Sequence, residues 1–114
     1  MSKIEGYIYK ITNNTNGKSY IGQTKRTVEE RWQNHLVSAF NQLQHSYNYP
    51  LYIDIRKYGV KNFTITIIEK CQINLLDEKE KYWIKFYDTK NNGYNQTLGG
   101  HSVQLYNYDE IYKL

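Results

Sequence analysis

Cysteine occurs once in these 114 residues, at Cys71. No intrachain disulfide can form, and a cysteine-based zinc site is excluded. A lone thiol fits a reducing compartment. Proline also occurs once, at Pro50, where it suits the first turn of a helix. No apolar run approaches the length of a bilayer span, and the opening stretch MSKIEGYIYK has no apolar signal core. A cytoplasmic protein without membrane contact is the expectation. Several catalytic signatures are missing: no GxxxxGK[ST] phosphate loop, no HExxH pair, and no serine in a nucleophile-elbow context. His35, His45 and His101 are too dispersed to argue a zinc triad.

What is present is tyrosine, 13 of them against 3 Phe and 2 Trp. Tyrosine packs its ring and still presents a hydroxyl, which suits a small domain with a polar cleft. A hydrophobic content of 39% over this length supports one domain with one modest core. The 15 Lys and Arg outweigh the 11 Asp and Glu, for a net charge of +4. That balance permits a polyanionic partner without demanding one.

Tyr7–Thr12 alternates and reads as a strand. Asn13–Lys18 holds the pair Asn16-Gly17, the strongest short hairpin signal, and Ser19–Gln23 returns as the second strand. Gly22 near its end suggests a bulge or a close backbone approach to a ligand. Thr27-Val28-Glu29-Glu30 is a capping box. The apolar stripe Val28, Trp32, Leu36, Ala39, Phe40 and Leu43 follows it. After a polar break at Gln44–Asn48, Tyr49–Tyr58 reads as a shorter helix that stops at Gly59. Phe63–Ile68 is dense in β-branched residues, apolar on both faces, and reads as a central strand. Asn74–Tyr87 reads as an amphipathic helix with Asn74 as N-cap, and Tyr94–Thr97 as a last short strand. The order β-β-α-α-β-α-β gives an α/β (α+β) fold: a small three- to four-stranded, mostly antiparallel sheet with helices packed on it. Residues 1–100 form the domain. The tail 101–114 reads as an edge strand or as the stub of a further region.

One residue breaks the pattern of the Asn74–Tyr87 helix. Leu76, Glu80, Trp83 and Tyr87 share one face, so a carboxylate lies in an apolar stripe. Unpaired, it would cost several kcal/mol. Either Glu80 sits at a solvated edge beside a basic partner, or it is a metal ligand or catalytic acid. Elsewhere, Arg31 and His35 lie four apart on one helix face, beside the stripe; a solvated pair is the simpler reading of that helix alone. Tyr9 and Tyr20, joined by a tight hairpin, stand as near neighbours across the ladder, and Lys18 can bring a cation to their phenols.

Taken in order, Tyr7-Ile8-Tyr9, Tyr20-Ile21-Gly22, Arg31-x-x-x-His35, Lys57-Tyr58-Gly59 with Asn62-Phe63, Glu80 in EKYWI, Gly93-Tyr94-Asn95 and Gly99-Gly100 resemble the GIY-YIG nuclease domain. The resemblance runs over roughly residues 6 to 100, and the ordered set is specific where no single tripeptide would be. The first motif departs from the family pattern, with Tyr7 where glycine is usual; the tyrosine of the motif, Tyr9, is kept.

The resemblance implies metal-dependent hydrolysis of DNA phosphodiesters, most like the phage and intron homing endonucleases. Glu80 would bind a single Mg²⁺, with Mn²⁺ able to substitute. Arg31 would clamp the phosphate. Tyr9 or Tyr20, with Lys18 or His35 nearby, would take a proton from the attacking water. Asn95, Gly22 and His45 would support the site. A phenol titrates near 10, so a tyrosine base requires cations to lower it. DNA is the implied partner and a monomer the expected state, with the tail as the start of a separate DNA-binding region. Two rival readings are a non-catalytic nucleic-acid-binding module on the same scaffold and a tyrosine-rich protein-interaction domain. A repair or restriction nuclease is a third possibility within the nuclease class.

Overall fold

A computed structural model describes residues 5–99. The tail, Gly100 and His101 lie outside the described residues. The chain opens with a hairpin, β1 (Glu5–Asn13) and β2 (Ser19–Thr24), then runs through α1 (Val28–Phe40), α2 (Pro50–Tyr58), β3 (Phe63–Gln72), α3 (Leu76–Tyr87) and a single turn, α4 (Thr89–Asn92). The hairpin closes where the Asn16-Gly17 pair predicts, with Gly17 at φ 78° and its N–H donating to Asn13 O at 2.8 Å.

Among the described residues the sheet has three strands in the order β2-β1-β3, both pairings antiparallel. β1 is the central strand, so the β-branched β3 is an edge and not the centre expected. Its second apolar face is in part exposed, with Ile67 at 53%. β3 skips Ile68 in its register against Ile8 and Tyr9, a bulge directly beside Tyr9. Alternation along β1 divides the core. Tyr9 and Ile11 join Val28, Ala39, Leu51, Tyr52, Ile55, Phe63 and Tyr94 on the α1–α2 side. Ile8 joins Ile21, Leu76 and Ile84 on the α3 side.

The capping box of α1 forms as the sequence predicts. Thr27 accepts from Glu30 N at 3.1 Å, and the Glu30 carboxylate accepts from Thr27 N at 3.2 Å. The stripe is shorter than expected, because the helix ends at Phe40. Phe40 is 56% exposed and Leu43, beyond the helix, is 91% exposed. The position between is taken by His35, which is buried with Val28 and Ala39. α2 starts on Pro50 and stops at Gly59, as expected. α3 starts at Leu76, one residue later than an N-cap at Asn74 predicts. The turn Ile73–Leu75 is a 3-10 helix, and Leu75 at the cap has no side-chain bond. Its buried stripe is Leu76, Glu80 and Ile84, with Tyr87 partly exposed beneath the Lys10 ammonium of β1.

The fourth strand does not form. Residues 94–97 are irregular, yet they satisfy the edge of β2. Tyr94 N donates to Ser19 O at 2.9 Å. The Asn95 side chain accepts from Ile21 N at 2.8 Å and donates to Ile21 O at 2.9 Å. One side-chain amide thus does what a strand residue would do.

Candidate active site

β1 and β2 present their tyrosines to α1. Tyr9 is fully buried, and its ring lies 6.4 Å from that of Tyr20, tilted by 41°. Tyr9 faces Gly22 across the ladder. A Cβ at Gly22 would sit 2.3 Å from the Tyr9 hydroxyl, so the glycine is required by a close approach. The sequence offered a bulge or a ligand at Gly22; here β1 and β2 pair without a register shift, and the close approach is made by the Tyr9 side chain.

From α1, His35 descends onto this pair. Its Nε2 is 2.7 Å from the Tyr9 hydroxyl, and its ring meets the Tyr20 ring edge-on at 5.4 Å. His35 is only 1% exposed, which overturns the solvated reading of that helix face. Burial and the charge of Arg31 push its pKa down to about 3, so the imidazole is neutral. Arg31, one turn earlier, is half-buried and acts electrostatically on Tyr9, Tyr20 and Tyr52 together.

Burial raises the pKa of Tyr9 well above its ordinary value, and Arg31 recovers only part of the shift. Burial and then the charge of Glu80 raise Tyr20 as well. Within the protein itself, desolvation of a phenolate outweighs one guanidinium, and both phenols are protonated near neutrality. Lys18 is exposed at the end of the hairpin turn, and the cation that acts on both phenols is Arg31.

Sequence reasoning missed Tyr52. Its hydroxyl lies 2.7 Å from His35 Nδ1, so both ring nitrogens of His35 are engaged. Read along α2, Tyr52 is an ordinary apolar-face residue, and nothing local marks it.

Glu80 stands on the α3 side of the sheet, 5% exposed. The Gln23 amide donates to Glu80 Oε1 at 3.1 Å and to Asp77 Oδ1 at 2.9 Å. Gln23 was also missed; it follows Gly22 in a short strand, and only the partner helix reveals its role. The buried carboxylate is compensated in part by this neutral donor. Among the described residues no group of three or more His, Cys, Asp or Glu could hold an ion. One buried carboxylate, with a second held near it through Gln23, is a donor set that suits a hard cation keeping most of its waters.

The remaining candidates divide. Asn95 braces the backbone of β2 beside Tyr20, through the paired bonds to Ile21. His45 is exposed on the 3-10 turn His45–Asn48. Its ring contact is with Tyr49, which stacks on Tyr52, so it reaches His35 only through two intervening rings.

The structure thus joins Tyr9, Tyr20, Arg31 and His35 in one cluster, with Glu80 close enough to Tyr20 for its charge to act there. The family model for the GIY-YIG catalytic domain matches residues 5–95. The chain is 37% identical over 96 residues to intron-associated endonuclease 1 of Enterobacteria phage T4, covering 77% of this chain and 35% of that protein. It is 34% identical over 96 residues to uncharacterized protein 019R of Invertebrate iridescent virus 6, covering 80% of this chain and 33% of that one. The chain spans about a third of the length of the curated relatives it matches. Among solved structures, the catalytic domain of homing endonuclease I-TevI superimposes with a TM-score of 0.69 at 32% identity, covering 81% of this chain and 98% of that one. A mutant of the same domain gives a TM-score of 0.71 at 30% identity, covering 82% and 95%. The chain belongs to the GIY-YIG catalytic domain family.

Proposed function

We propose that the protein is a divalent-metal-dependent endonuclease that hydrolyses DNA phosphodiesters, with a role like that of phage and intron homing endonucleases. The observation that carries this reading is the buried contact of 2.7 Å between the Tyr9 hydroxyl and His35 Nε2, with Arg31 beside it. A phenol and a neutral imidazole in line are a proton acceptor with a built-in exit. The water that attacks phosphorus gives its proton to the Tyr9 oxygen as the Tyr9 proton moves to His35 Nε2. No free phenolate is needed, which suits the raised pKa of Tyr9. The protonated Tyr9 is then an intermediary, and His35 is the acceptor behind it.

Arg31 holds the phosphate and stabilises the charge that grows on its oxygens. Tyr20 packs against His35 and Tyr9 and fixes both rings. Glu80 is the residue that would hold Mg²⁺, kept in place by Gln23. When bound, the cation supplies positive charge at the scissile phosphate and the leaving 3′ oxygen. Asn95 keeps β2, and with it Tyr20, in register. The excess of Lys and Arg favours a DNA partner, and binding should weaken as salt rises.

The test is cleavage of supercoiled plasmid DNA with Mg²⁺, with Mn²⁺ and with EDTA. Nicked or linear product in Mg²⁺ that EDTA abolishes is expected. DNA retention in gel shifts without cleavage in either metal would favour the binding-module reading instead.

A further inference from the structure

The second nitrogen of His35 is as closely held as the first, with the Tyr52 hydroxyl 2.7 Å from Nδ1. A neutral imidazole carries one N–H and one lone pair, and ring geometry alone does not tell which nitrogen has which. The polarity is set at Tyr9. Its side chain is fully buried, Arg31 beside it can only donate, and the acceptor within reach is His35 Nε2 at 2.7 Å. A buried hydroxyl proton without an acceptor is costly, so the Tyr9 O–H donates to Nε2. The lone pair is then on Nε2 and the proton on Nδ1, where the Tyr52 hydroxyl accepts it.

We propose that Tyr52 is a positioning residue for the reaction: its hydroxyl holds His35 as the Nδ1–H tautomer and so keeps the Nε2 lone pair facing Tyr9. The proposal rests on the reading of Tyr9 and His35 as the proton-accepting pair. In the reversed tautomer Nε2–H would point at the Tyr9 oxygen, and the Tyr9 proton would have no acceptor. The hydroxyl is well placed for this duty. Tyr52 is buried on α2 between Leu51 and Ile55, its ring stacks on Tyr49 at 6.1 Å with 12° between planes, and it lies 5.7 Å from the His35 ring.

The same row gives the proton a way out. Nε2 takes the Tyr9 proton as Nδ1 passes its own to the Tyr52 oxygen, and Tyr52, which is 7% exposed, gives its own proton to solvent water. His35 ends as a neutral Nε2–H tautomer. It never has to exist as an imidazolium, which its burial and Arg31 both oppose.

The test is ¹⁵N NMR of histidine-labelled, DNA-free protein near neutral pH, paired with single-turnover cleavage. The wild type is expected to show His35 with a protonated Nδ1 and a bare Nε2. Tyr52→Phe keeps the ring and loses the hydroxyl. It should move both resonances toward a mixture of tautomers and slow cleavage by about ten- to a hundredfold, the usual loss when the partner that orients a functional imidazole is removed. Tyr9→Phe removes the proton donated to Nε2, so it should weaken the same tautomer preference, and it keeps the proposal testable if Tyr52→Phe folds poorly. A wild-type His35 protonated at Nε2 overturns the proposal, as does a Tyr52→Phe spectrum identical to wild type. A shifted tautomer with an unchanged cleavage rate overturns its role in the reaction. Absence of cleavage by wild type that shows the Nδ1–H tautomer counts against the nuclease reading and leaves the tautomer assignment supported, so the two failures stay distinguishable.

Discussion

On the α1–α2 side of the sheet the buried side chains are large and many are aromatic, and polar groups run through them: the Tyr9 hydroxyl, both nitrogens of His35 and the Tyr52 hydroxyl. On the α3 side the buried core is four aliphatic residues, Ile8, Ile21, Leu76 and Ile84, with one carboxylate at its margin. The first side satisfies its polar atoms by bonding them to one another, so they can be buried deeply and still exchange protons. The second cannot do so. Glu80 draws on Gln23 from the neighbouring strand. The separation also has an electrostatic logic. The charge of Glu80 already raises the pKa of Tyr20, and a carboxylate within the phenol cluster would oppose any negative charge there more strongly. The proposed cation site and the proposed proton path thus lie on opposite faces of one thin sheet and meet at β2.

The largest effect should come from the α3 side. Glu80→Gln keeps the shape and removes the charge that would hold Mg²⁺, so single-turnover cleavage should fall by on the order of a thousandfold, the upper range for losing an electrostatic contributor. Its circular-dichroism spectrum should match wild type. Full cleavage in Mg²⁺ would remove Glu80 from the site.

Tyr9→Phe attacks the other face and should cost on the order of a hundredfold, as expected for loss of a general-acid–base group. Tyr20→Phe should cost less, because Tyr20 supports the rings and does not pass the proton. Equal losses for the two, measured in single turnover, would erase the distinction drawn between them.

Gly22→Ala joins stability to chemistry. The new methyl would lie 2.3 Å from the Tyr9 hydroxyl, so either the strand or the phenol must move. Destabilisation of about 1–3 kcal/mol, the usual cost of overpacking, is expected in urea unfolding. Cleavage should fall with it as Tyr9 leaves His35. A stable variant with wild-type cleavage would mean that the Tyr9–His35 contact is not needed.

The effect that is smallest step by step, one pH unit at a time, concerns His35. The pKa of His35 is lowered from 6.5 to about 3 on folding, by burial and then by Arg31. The unfolded chain therefore takes up the proton first as pH falls. The contribution is complete above 6.5 and is lost as pH falls from there toward about 3. Within that window wild type should lose up to about 1.4 kcal/mol per pH unit relative to His35→Gln. Parallel urea curves at each pH would show His35 charging freely in the fold.

Much of this was legible in the chain. The hairpin at Asn16-Gly17, the capping box at Thr27 and the stop at Gly59 are local chemistry, decided by a few adjacent residues, and the structure has them where the sequence puts them. The ordered motif set singles out Tyr9, Tyr20, Arg31, His35 and Glu80. A carboxylate in an apolar stripe is itself a signal, because burial without compensation is costly.

Other features depended on partners far along the chain. Whether β3 is central or an edge depends on which strands pair, and its composition does not carry that. Residues 94–97 look like a strand, but Asn95 already satisfies the edge they would have paired with. Lys18 is near Tyr20 in sequence but exposed at the hairpin turn, while Tyr52, on another helix, closes the His35 network. The direction of the phenol shifts was likewise set by tertiary structure. Sequence counts the cations near a tyrosine, but desolvation depends on everything packed around it, and at Tyr9 it outweighs the one cation that matters. The sequence determined which groups this protein has for its chemistry; packing decided which of them meet and in what protonation state, because burial and hydrogen-bond partners are properties of the folded neighbourhood and not of the residue.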